Sequence, residues 1–262
     1  MKPDVTVLMT SYNPGKYLLD SLSSLVNQTY KGWELILVDD ASTDGSLLLT
    51  KNILRNMPAK IIQNPLNLGQ SKSLNKGLNL VNTPYLIQLD SDDWLPTRAL
   101  EVLKEEVVRR PDSTGLLFGN VCLVYECLKS PGKRNKRIIK NHPLYNRYQL
   151  LLSKGIICPR FYRTSLLKEM GGWPLDDPFE GRYKEDRILL RLIEKAPFHW
   201  INQTLYYYRR HKKNSTGEVE IYNSITQWAV EDALKRWGNI YRPLYYTYPS
   251  GRITLSQLIP LP

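Results

Sequence analysis

The feature that most constrains the fold is a regular alternation of short apolar runs with helical patterns in the first third of the chain. The strand candidates, in chain order, are Val5 to Met9, Leu35 to Val38, Lys60 to Gln63 and Tyr85 to Leu89. The second of them is apolar throughout, which is typical of a central parallel strand covered on both faces. Strands separated by helices need crossover connections, which are right-handed. The sequence therefore predicts an α/β protein with a mostly parallel sheet and helices on both faces.

Helical periodicity fills the gaps between these strands. Leu18, Leu22 and Leu25 recur on one helical face. Asn13 followed by Pro14 is typical of a helix start, with Asn13 as the cap. The further predicted helices are Ser42 to Asn56, Ser71 to Val81 and residues 98–110.

The second half of the chain has a more mixed pattern. Leu116 to Leu128 is expected to form paired strands, and His199 to His211 is a strand candidate rich in aromatic residues. Because no internal repeat or linker interrupts these segments, we expect one domain with a mixed second half.

Composition excludes several classes of protein. The 262 residues are 42% hydrophobic and 23% charged, which is typical of a globular chain. No run of about eighteen or more apolar residues predicts a membrane span, and the N-terminus lacks the pattern of a secretory signal. The three cysteines form neither a disulfide framework nor a metal-binding spacing. We therefore expect a cytoplasmic protein.

The net charge of +11 favours anionic partners. Much of the excess lies in residues 129–140, where basic residues surround a Pro-Gly pair. Two interpretations stay open: a solvated loop, or a patch that meets an acidic acceptor or makes peripheral contact with an anionic membrane. Nucleic acid is not favoured, because the basic residues interleave with few aromatic ones and no nucleic-acid-binding motif is present.

Polar and acidic residues follow each predicted strand of the first half, where open parallel sheets bind their ligands. The four segments are Thr10 to Asn13, Asp39 to Ser42, Asn64 to Gly69 and Asp90 to Asp93. The last segment has three carboxylates in four residues, and a divalent cation is the usual way to offset such repulsion. The sequence therefore predicts a metal site there. Neither a Walker-type phosphate loop nor a G-x-G-x-x-G motif is present.

Taken in order, these segments resemble the family 2 glycosyltransferases. The matching motifs are Met9-Thr10-Ser11-Tyr12-Asn13, Ser21-Leu22-x-Ser24-Leu25-x-x-Gln28-Thr29-Tyr30, Val38 to Ser46, Asn67-x-Gly69-x-Ser71, Leu89 to Asp93 and Glu185-Asp186. The resemblance implies a GT-A fold and an inverting transfer of sugar from a nucleotide donor. It also implies a nucleotide-sugar-binding half, 1–97, and an acceptor-binding half, 98–262, of one domain, with a C-terminal extension beginning near residue 215.

The resemblance implies a donor site along the rim of the sheet. The base and ribose would be held by Thr10, Tyr12, Asp39 and Asp40. The rest of the donor would lie along Asn67, Gly69, Lys72, Asp90 and Ser91. A uridine nucleotide is the first expectation and thymidine the alternative. Asp92 would bind Mn²⁺ or Mg²⁺, and His211, at the end of a Tyr-Arg strand, would be a further ligand.

The general base implied by the resemblance is Asp186, beside Glu185. By local sequence alone, this pair fits equally well as acidic residues at a helix N-terminus. One departure from the family pattern is Leu74, where many relatives have a phosphate-binding arginine. Lys72 or Arg210 could substitute, although helical geometry places Lys72 on a different face from position 74.

Trp173 has two open interpretations: a ring that stacks on an acceptor sugar, or a core residue. The overall function also has alternatives to transfer onto a saccharide or cell-surface glycan precursor. One is transfer to a polyprenyl phosphate at a membrane surface. Another is a non-catalytic protein that binds nucleotide sugars or carbohydrate on the same fold.

Overall fold

The computed structural model describes residues 2–126, 134–182, 187–211 and 219–262. Strands and helices alternate through the first part of the chain, as predicted. Their bounds are β1 (Val5–Ser11), α1 (Tyr17–Val26), β2 (Trp33–Asp39), α2 (Ser46–Arg55), β3 (Ala59–Gln63), α3 (Gln70–Leu78), β4 (Tyr85–Gln88) and α4 (Ala99–Val108). The later elements are β5 (Leu116–Glu126), β6 (Arg134–Ile139), α5 (Arg147–Leu152), β7 (Arg160–Arg163), α6 (Thr164–Glu169), α7 (Arg187–Lys195), β8 (Phe198–Arg210), α8 (Val219–Arg236), β9 (Tyr241–Thr247) and β10 (Ile253–Pro260).

Eight of the strands form one sheet in the order β3-β2-β1-β4-β7-β5-β6, with β8 paired to β5. The first four strands are parallel, as are β5 and β8, whereas β6 and β7 pair antiparallel to their neighbours. The predicted α/β fold with a mostly parallel sheet is confirmed. Because β1 and β2 are in register with Ser11 opposite Asp39, their carboxyl ends meet at one rim.

Both faces of the sheet are covered by helices. Along β1, Val5, Val7 and Met9 pack into one buried cluster with residues of α1, α2 and α4. Leu8 points the other way, into a second cluster with residues of α3, α6 and α7. This is the period-two alternation of a strand whose two faces are both buried. The prediction of helices on both sides is confirmed.

The loop after β1 differs from the prediction. The N-cap of α1 is Lys16, and Asn13 lies before it with a φ of +49°. The backbone amide of Asn13 donates to Ser42 Oγ at 2.9 Å, and its Oδ1 accepts from the Thr43 amide at 2.8 Å. Asn tolerates this left-handed conformation and bonds readily to nearby backbone. The predicted cap is therefore wrong, because Asn13 links the loops after β1 and β2 through these hydrogen bonds. The second helix, α2, starts at Ser46 and not at Ser42 as predicted.

The second half corrects one expectation. Leu116–Glu126 is one long strand rather than a pair. It pairs with β6, β7 and β8, and it is mostly buried because its residues pack into the core clusters on both faces of the sheet. The extension beyond residue 215 contains α8 and the β9–β10 hairpin, which pack around Val230, Leu234 and Leu255. The division at 97/98 stays a prediction. The sheet extends across this division, since β4 from the first half pairs with β7 from the second half.

Among the described residues, no helix combines the length and the hydropathy that a membrane span requires.

Candidate functional site

Ser11 and Asp39, at the ends of β1 and β2, each have a buried oxygen atom with no hydrogen-bond partner within the described part of the chain. Ser11 is 2% and Asp39 1% exposed. The Ser42 amide donates to Asp39 Oδ2 at 3.2 Å, while Asp39 Oδ1 and Ser11 Oγ are left unpaired. An unpaired buried polar atom costs about 1–3 kcal/mol, so these atoms mark where donors of a ligand would fit. The sequence prediction assigned no role to Ser11, although it lies in the polar segment that follows the first predicted strand.

The carboxylate of Asp40 has more hydrogen-bond partners than that of Asp39. Its carboxylate accepts from Asn64 Nδ2 at 2.8 Å and from the amides of Leu68 and Gly69, each at 2.9 Å. Three of its roughly four lone-pair sites are thus occupied, and the residue is only 4% exposed. The Asp40 side chain thus holds the loop after β3, and of the two aspartates predicted to hold the base and ribose, Asp39 is the one with an unpaired oxygen.

The acidic loop, residues 89–98 between β4 and α4, lies against the end of β8. Trp94 and Tyr207 exchange backbone hydrogen bonds, at 3.2 Å from Trp94 N to Tyr207 O and 2.9 Å in the reverse direction. This pairing brings Asp92 to His211 across 119 positions of sequence, with 2.9 Å between Asp92 Oδ2 and His211 Nε2. Both side chains are partly exposed, at 27% and 10%. The two residues predicted as metal ligands are therefore neighbours.

The spacing of this pair fits a divalent cation. Two ligand atoms that bind one ion through bonds of about 2.1 Å at a right angle lie about 3 Å apart, which is close to the observed 2.9 Å. A carboxylate with an imidazole suits Mn²⁺ or Zn²⁺ better than Ca²⁺. In the parts of the chain described, no group of three or more His, Cys, Asp or Glu side chains could hold a metal. The remaining ligands of such an ion would have to come from elsewhere, including a bound ligand or water.

Asp93 does not belong to this pair, which corrects the expectation of a three-carboxylate cluster. It is 2% exposed and accepts from the Arg209 amide at 2.7 Å. Burial, together with the charges of Asp92 and Asp90, raises the pKa of Asp93 well above its usual value. Asp93 therefore anchors the loop to β8, while Asp90 and Asp92 are partly exposed.

Arg209 joins the acidic loop to α1 and β5. Its side chain is 0% exposed, and its Nε donates to the Asp92 carbonyl at 2.8 Å. The guanidinium pairs with Asp20 at 2.6 Å and with Glu126 at 2.7 Å. It also lies between two aromatic rings, those of Tyr17 and Trp94, at 4.5 and 4.6 Å from their centroids. The Tyr17 ring in turn packs on His211 at 4.6 Å.

Polar residues in α1 and just after it hold the same loop from another side. Ser21 Oγ donates to the Ser91 carbonyl at 2.9 Å. Gln28 Nε2 donates to the Pro96 carbonyl at 2.8 Å, and its Oε1 accepts from the Leu100 amide at 3.0 Å. These motif residues are buried. Their contribution is to fix the backbone of the acidic loop.

The loop after β3 is packed under Arg182. A Cβ on Gly69 would lie 2.8 Å from the Arg182 Cα, and Gly69 has a φ of +87°. Arg182 is exposed and donates from its guanidinium to Asn67 Oδ1 at 3.3 Å. Sequence reasoning missed Arg182, because it is 115 positions from Asn67 and no local pattern indicates it.

Gly69→Ala is expected to destabilise the protein by about 3 kcal/mol, because its backbone at φ +87° and ψ 165° lies in a region nearly restricted to glycine. The crowding against Arg182 adds to this cost. Gly45→Ala is the matched control, since Gly45 has φ +76° and ψ 6° and no atom within 4 Å of an added Cβ. We expect it to cost about 1 kcal/mol. Urea unfolding of both variants checks this, and equal losses would show that the contact with Arg182 contributes nothing.

Three other predicted residues are placed as follows. Tyr12 lies on the rim with a 56% exposed side chain. Thr10 is partly buried one residue before the end of β1. Lys72 forms an ion pair with Glu180, so its charge is already partnered.

Leu74 is 0% exposed in the core, so a residue at this position does not face the rim. Trp173 is also a core residue: it is 1% exposed and packs edge-on against Tyr162 at 6.0 Å. The interpretation of Trp173 as an acceptor-stacking ring is wrong, because Asn75 pins its backbone through two hydrogen bonds and the ring points inward. Glu185 and Asp186 fall outside the described residues.

Comparison with solved structures defines the class of fold. The chain is similar to S. aureus TarS in complex with UDP-GlcNAc, with a TM-score of 0.66, 21% identity, and coverage of 90% of this chain and 66% of that one. It is also similar to the mannosyltransferase PcManGT of Pyrobaculum calidifontis in complex with GDP-Man and Mn²⁺, with a TM-score of 0.62, 15% identity, and coverage of 91% and 65%. The fold is that of the GT-A glycosyltransferases.

Sequence comparison defines the family. Residues 6–170 match Glycosyl transferase family 2, and the chain belongs to that family. It is 27% identical to the chondroitin synthase of Escherichia coli over 242 residues, which cover 90% of this chain and 33% of the synthase. Seven other curated relatives, the B. subtilis glycosyltransferase EpsE among them, are likewise matched over only 15% to 40% of their length.

Proposed function

We propose that the protein is an inverting glycosyltransferase that moves a sugar from a nucleoside-diphosphate donor, UDP foremost, to an acceptor hydroxyl of a saccharide or glycan precursor. The observation that carries this proposal is the Asp92–His211 pair, 2.9 Å apart at the carboxyl rim of the sheet. Membership of family 2 and the similarity to structures that contain UDP-GlcNAc and GDP-Man support it.

The base would be recognised by Asp39. Its free Oδ1 is a buried acceptor at the end of β2, and it suits a base whose ring edge presents an N–H. Uracil and thymine present such a group at N3 and guanine at N1, whereas cytosine presents a lone pair there and would be repelled. Ser11 Oγ, opposite Asp39 in register, supplies a second polar contact. The exposed Tyr12 ring gives the base a face to stack on.

The diphosphate would be held between the loops after β3 and β4. Arg182 is the cation that we assign in place of the arginine missing at Leu74, because it packs on Gly69 with its guanidinium exposed. A divalent ion held by Asp92 and His211 would offset the charge of the departing diphosphate, as a Lewis acid does. Asp90, partly exposed on the same loop, would lie along the donor sugar.

The reaction would be a single displacement. The acceptor oxygen attacks the anomeric carbon and forms the new C–O bond as the bond from that carbon to the diphosphate oxygen breaks. The acceptor proton passes to the carboxylate of Asp186, and the nucleoside diphosphate leaves with the bonding electron pair. Attack opposite the leaving group inverts the anomeric centre.

Calorimetry with UDP-, dTDP-, GDP- and CDP-sugars, with and without Mn²⁺, tests the donor assignment. We expect metal-dependent binding of one or more donors whose base presents an N–H, and no binding of the CDP-sugar. If the folded protein binds the CDP-sugar best, the assignment of Asp39 is wrong. If it binds none of the four, the transferase proposal is wrong as well.

Asp92→Ala is expected to lower the Mn²⁺-dependent gain in UDP affinity by at least about tenfold, because even changes in the second shell of a metal site cost that much. Binding without metal should be nearly unchanged. Asp112→Ala is the control, since its side chain is fully exposed and its ion pair among the described residues is with Arg163. Paired titrations with Mn²⁺ and with EDTA give the comparison, and an undiminished Mn²⁺ effect in Asp92→Ala contradicts the metal assignment.

A further inference from the structure

The outer edge of the sheet beside the site carries exposed positive charge. β6 ends the strand order, so its outer side has no strand partner within the described part of the chain. Lys136, Arg137 and Lys140 on or next to it are exposed. No ion pair between described residues includes any of the three. Strand alternation places Lys136 and Arg137 on opposite faces, so the edge is positive on both sides.

This edge is continuous with the acidic loop of the candidate site. The Lys136 Nζ lies 5.7 Å from the centroid of the Tyr207 ring. Tyr207 in turn stacks on Trp94 at 5.3 Å, and Trp94 belongs to the loop that carries Asp92. In register, Lys136 is opposite Val124, which is opposite Arg209. Two strand spacings, about 10 Å, therefore separate Lys136 from the end of β8.

We propose that β6 is the acceptor-binding edge and that the acceptor is an anionic saccharide chain, with carboxylate or phosphate groups that meet Lys136, Arg137 and Lys140. This inference rests on the proposed function and names its acceptor class. Exposed cations that form no ion pair with the described residues attract anions at long range and guide them to the site. The ammonium of Lys136 lies over the Tyr207 ring, which stacks on Trp94 of the loop that carries Asp92.

A saccharide fits this edge better than a membrane does. Tyr207 is only partly exposed, so a flat layer of head groups would not reach the ring that fixes Lys136. Of the apolar residues on β6, Ile138 is exposed and Ile139 packs against the core, which leaves little apolar surface for insertion into lipid. A single flexible chain, in contrast, can lie along an extended strand and contact both of its faces.

The test is fluorescence anisotropy with an end-labelled hexasaccharide of alternating uronic acid and N-acetylhexosamine. The same chain with its carboxyl groups reduced to alcohols is the neutral probe. We expect the wild type to bind the anionic probe and not the reduced one. Lys136→Glu should weaken binding about fivefold, and the charge reversal of all three cations about a hundredfold. Lys60→Glu, an exposed lysine on the opposite edge strand β3, is the matched control and should have no effect.

Two further probes complete the design. A phosphate-bearing oligosaccharide decides between carboxylate and phosphate as the preferred anion. Vesicles with anionic lipid test the membrane: vesicle binding that depends on Lys136, without oligosaccharide binding, overturns the proposal. Equal binding of the reduced probe, or an equal loss in Lys60→Glu, also overturns it.

The titration of UDP with Mn²⁺ is run on the same variants, and the UDP affinity should be unchanged. Failure of this inference is therefore distinguishable from failure of the transferase proposal.

Discussion

Replacing Asp186 with asparagine is expected to lower the rate of sugar transfer by about a thousandfold, with the affinity for the nucleotide sugar unchanged. The amide keeps the shape of the side chain but does not accept the proton of the attacking hydroxyl. Both flanks of residues 183–186 are well anchored. Arg182 packs on Gly69, and Arg187 is 3% exposed and donates to the Pro174 carbonyl at 3.0 Å. The substitution should therefore act on chemistry rather than on folding.

Measuring both the transfer rate and the donor affinity of Asp186→Asn tests this prediction. Glu185→Gln is the matched control, since it removes a neighbouring carboxylate and should retain most of the activity. A parallel loss of donor affinity would remove Asp186 from the role of base and place it among the donor ligands. Full activity in Asp186→Asn together with loss in Glu185→Gln would move the role of base to Glu185.

Replacing Arg209 with methionine is expected to lower the free energy of unfolding by about 3 kcal/mol, because breaking a buried ion pair leaves its partner charges uncompensated. Asp20 and Glu126, at 43% and 26% exposed, regain some hydration, which keeps the loss near the lower end of the usual range. The Asp92 carbonyl also loses its donor. The metal-dependent gain in UDP affinity should therefore fall as well.

Urea unfolding and calorimetry of Arg209→Met provide the measurement. Arg210→Met is the control: the next residue is partly exposed, and its guanidinium lies 5.0 Å from the Tyr208 ring centroid. Arg209→Lys should recover part of the stability, since it keeps a charge but loses the forked geometry. If Arg209→Met unfolds at the same urea concentration as the wild type, the network contributes no net stability.

Much of the fold could be predicted from local patterns. The apolar run at 35–38 and the helical spacing of Leu18, Leu22 and Leu25 depend only on neighbours in sequence, and the structure confirms them. Element ends were less predictable. Asn13 has the local chemistry of a cap, but Ser42 and Thr43, on another loop, bind it instead.

The place of the candidate site in the fold was predicted in outline. The order of motifs places Asp39, Asp40 and the acidic loop at one rim, because carboxyl ends of parallel strands share an edge. Which of two adjacent aspartates keeps a free oxygen could not be predicted, since it depends on Asn64 and the amides of a loop nearly thirty residues away. The two interpretations of Trp173 stayed open for the same reason. Whether its ring is buried depends on all the residues that surround it in the folded chain.

The sequence by itself determined the alternation of strands and helices, the rim on which polar residues gather, and the family to which the chain belongs. All three follow from short-range periodicity and from motifs whose residues are close together. Only the tertiary structure decided that Asp92 meets His211, that Arg209 anchors the acidic loop and that Arg182 packs on Gly69. These contacts join residues about 110 or more positions apart, and no local pattern encodes such pairings. They are decided by how the sheet and its loops come together.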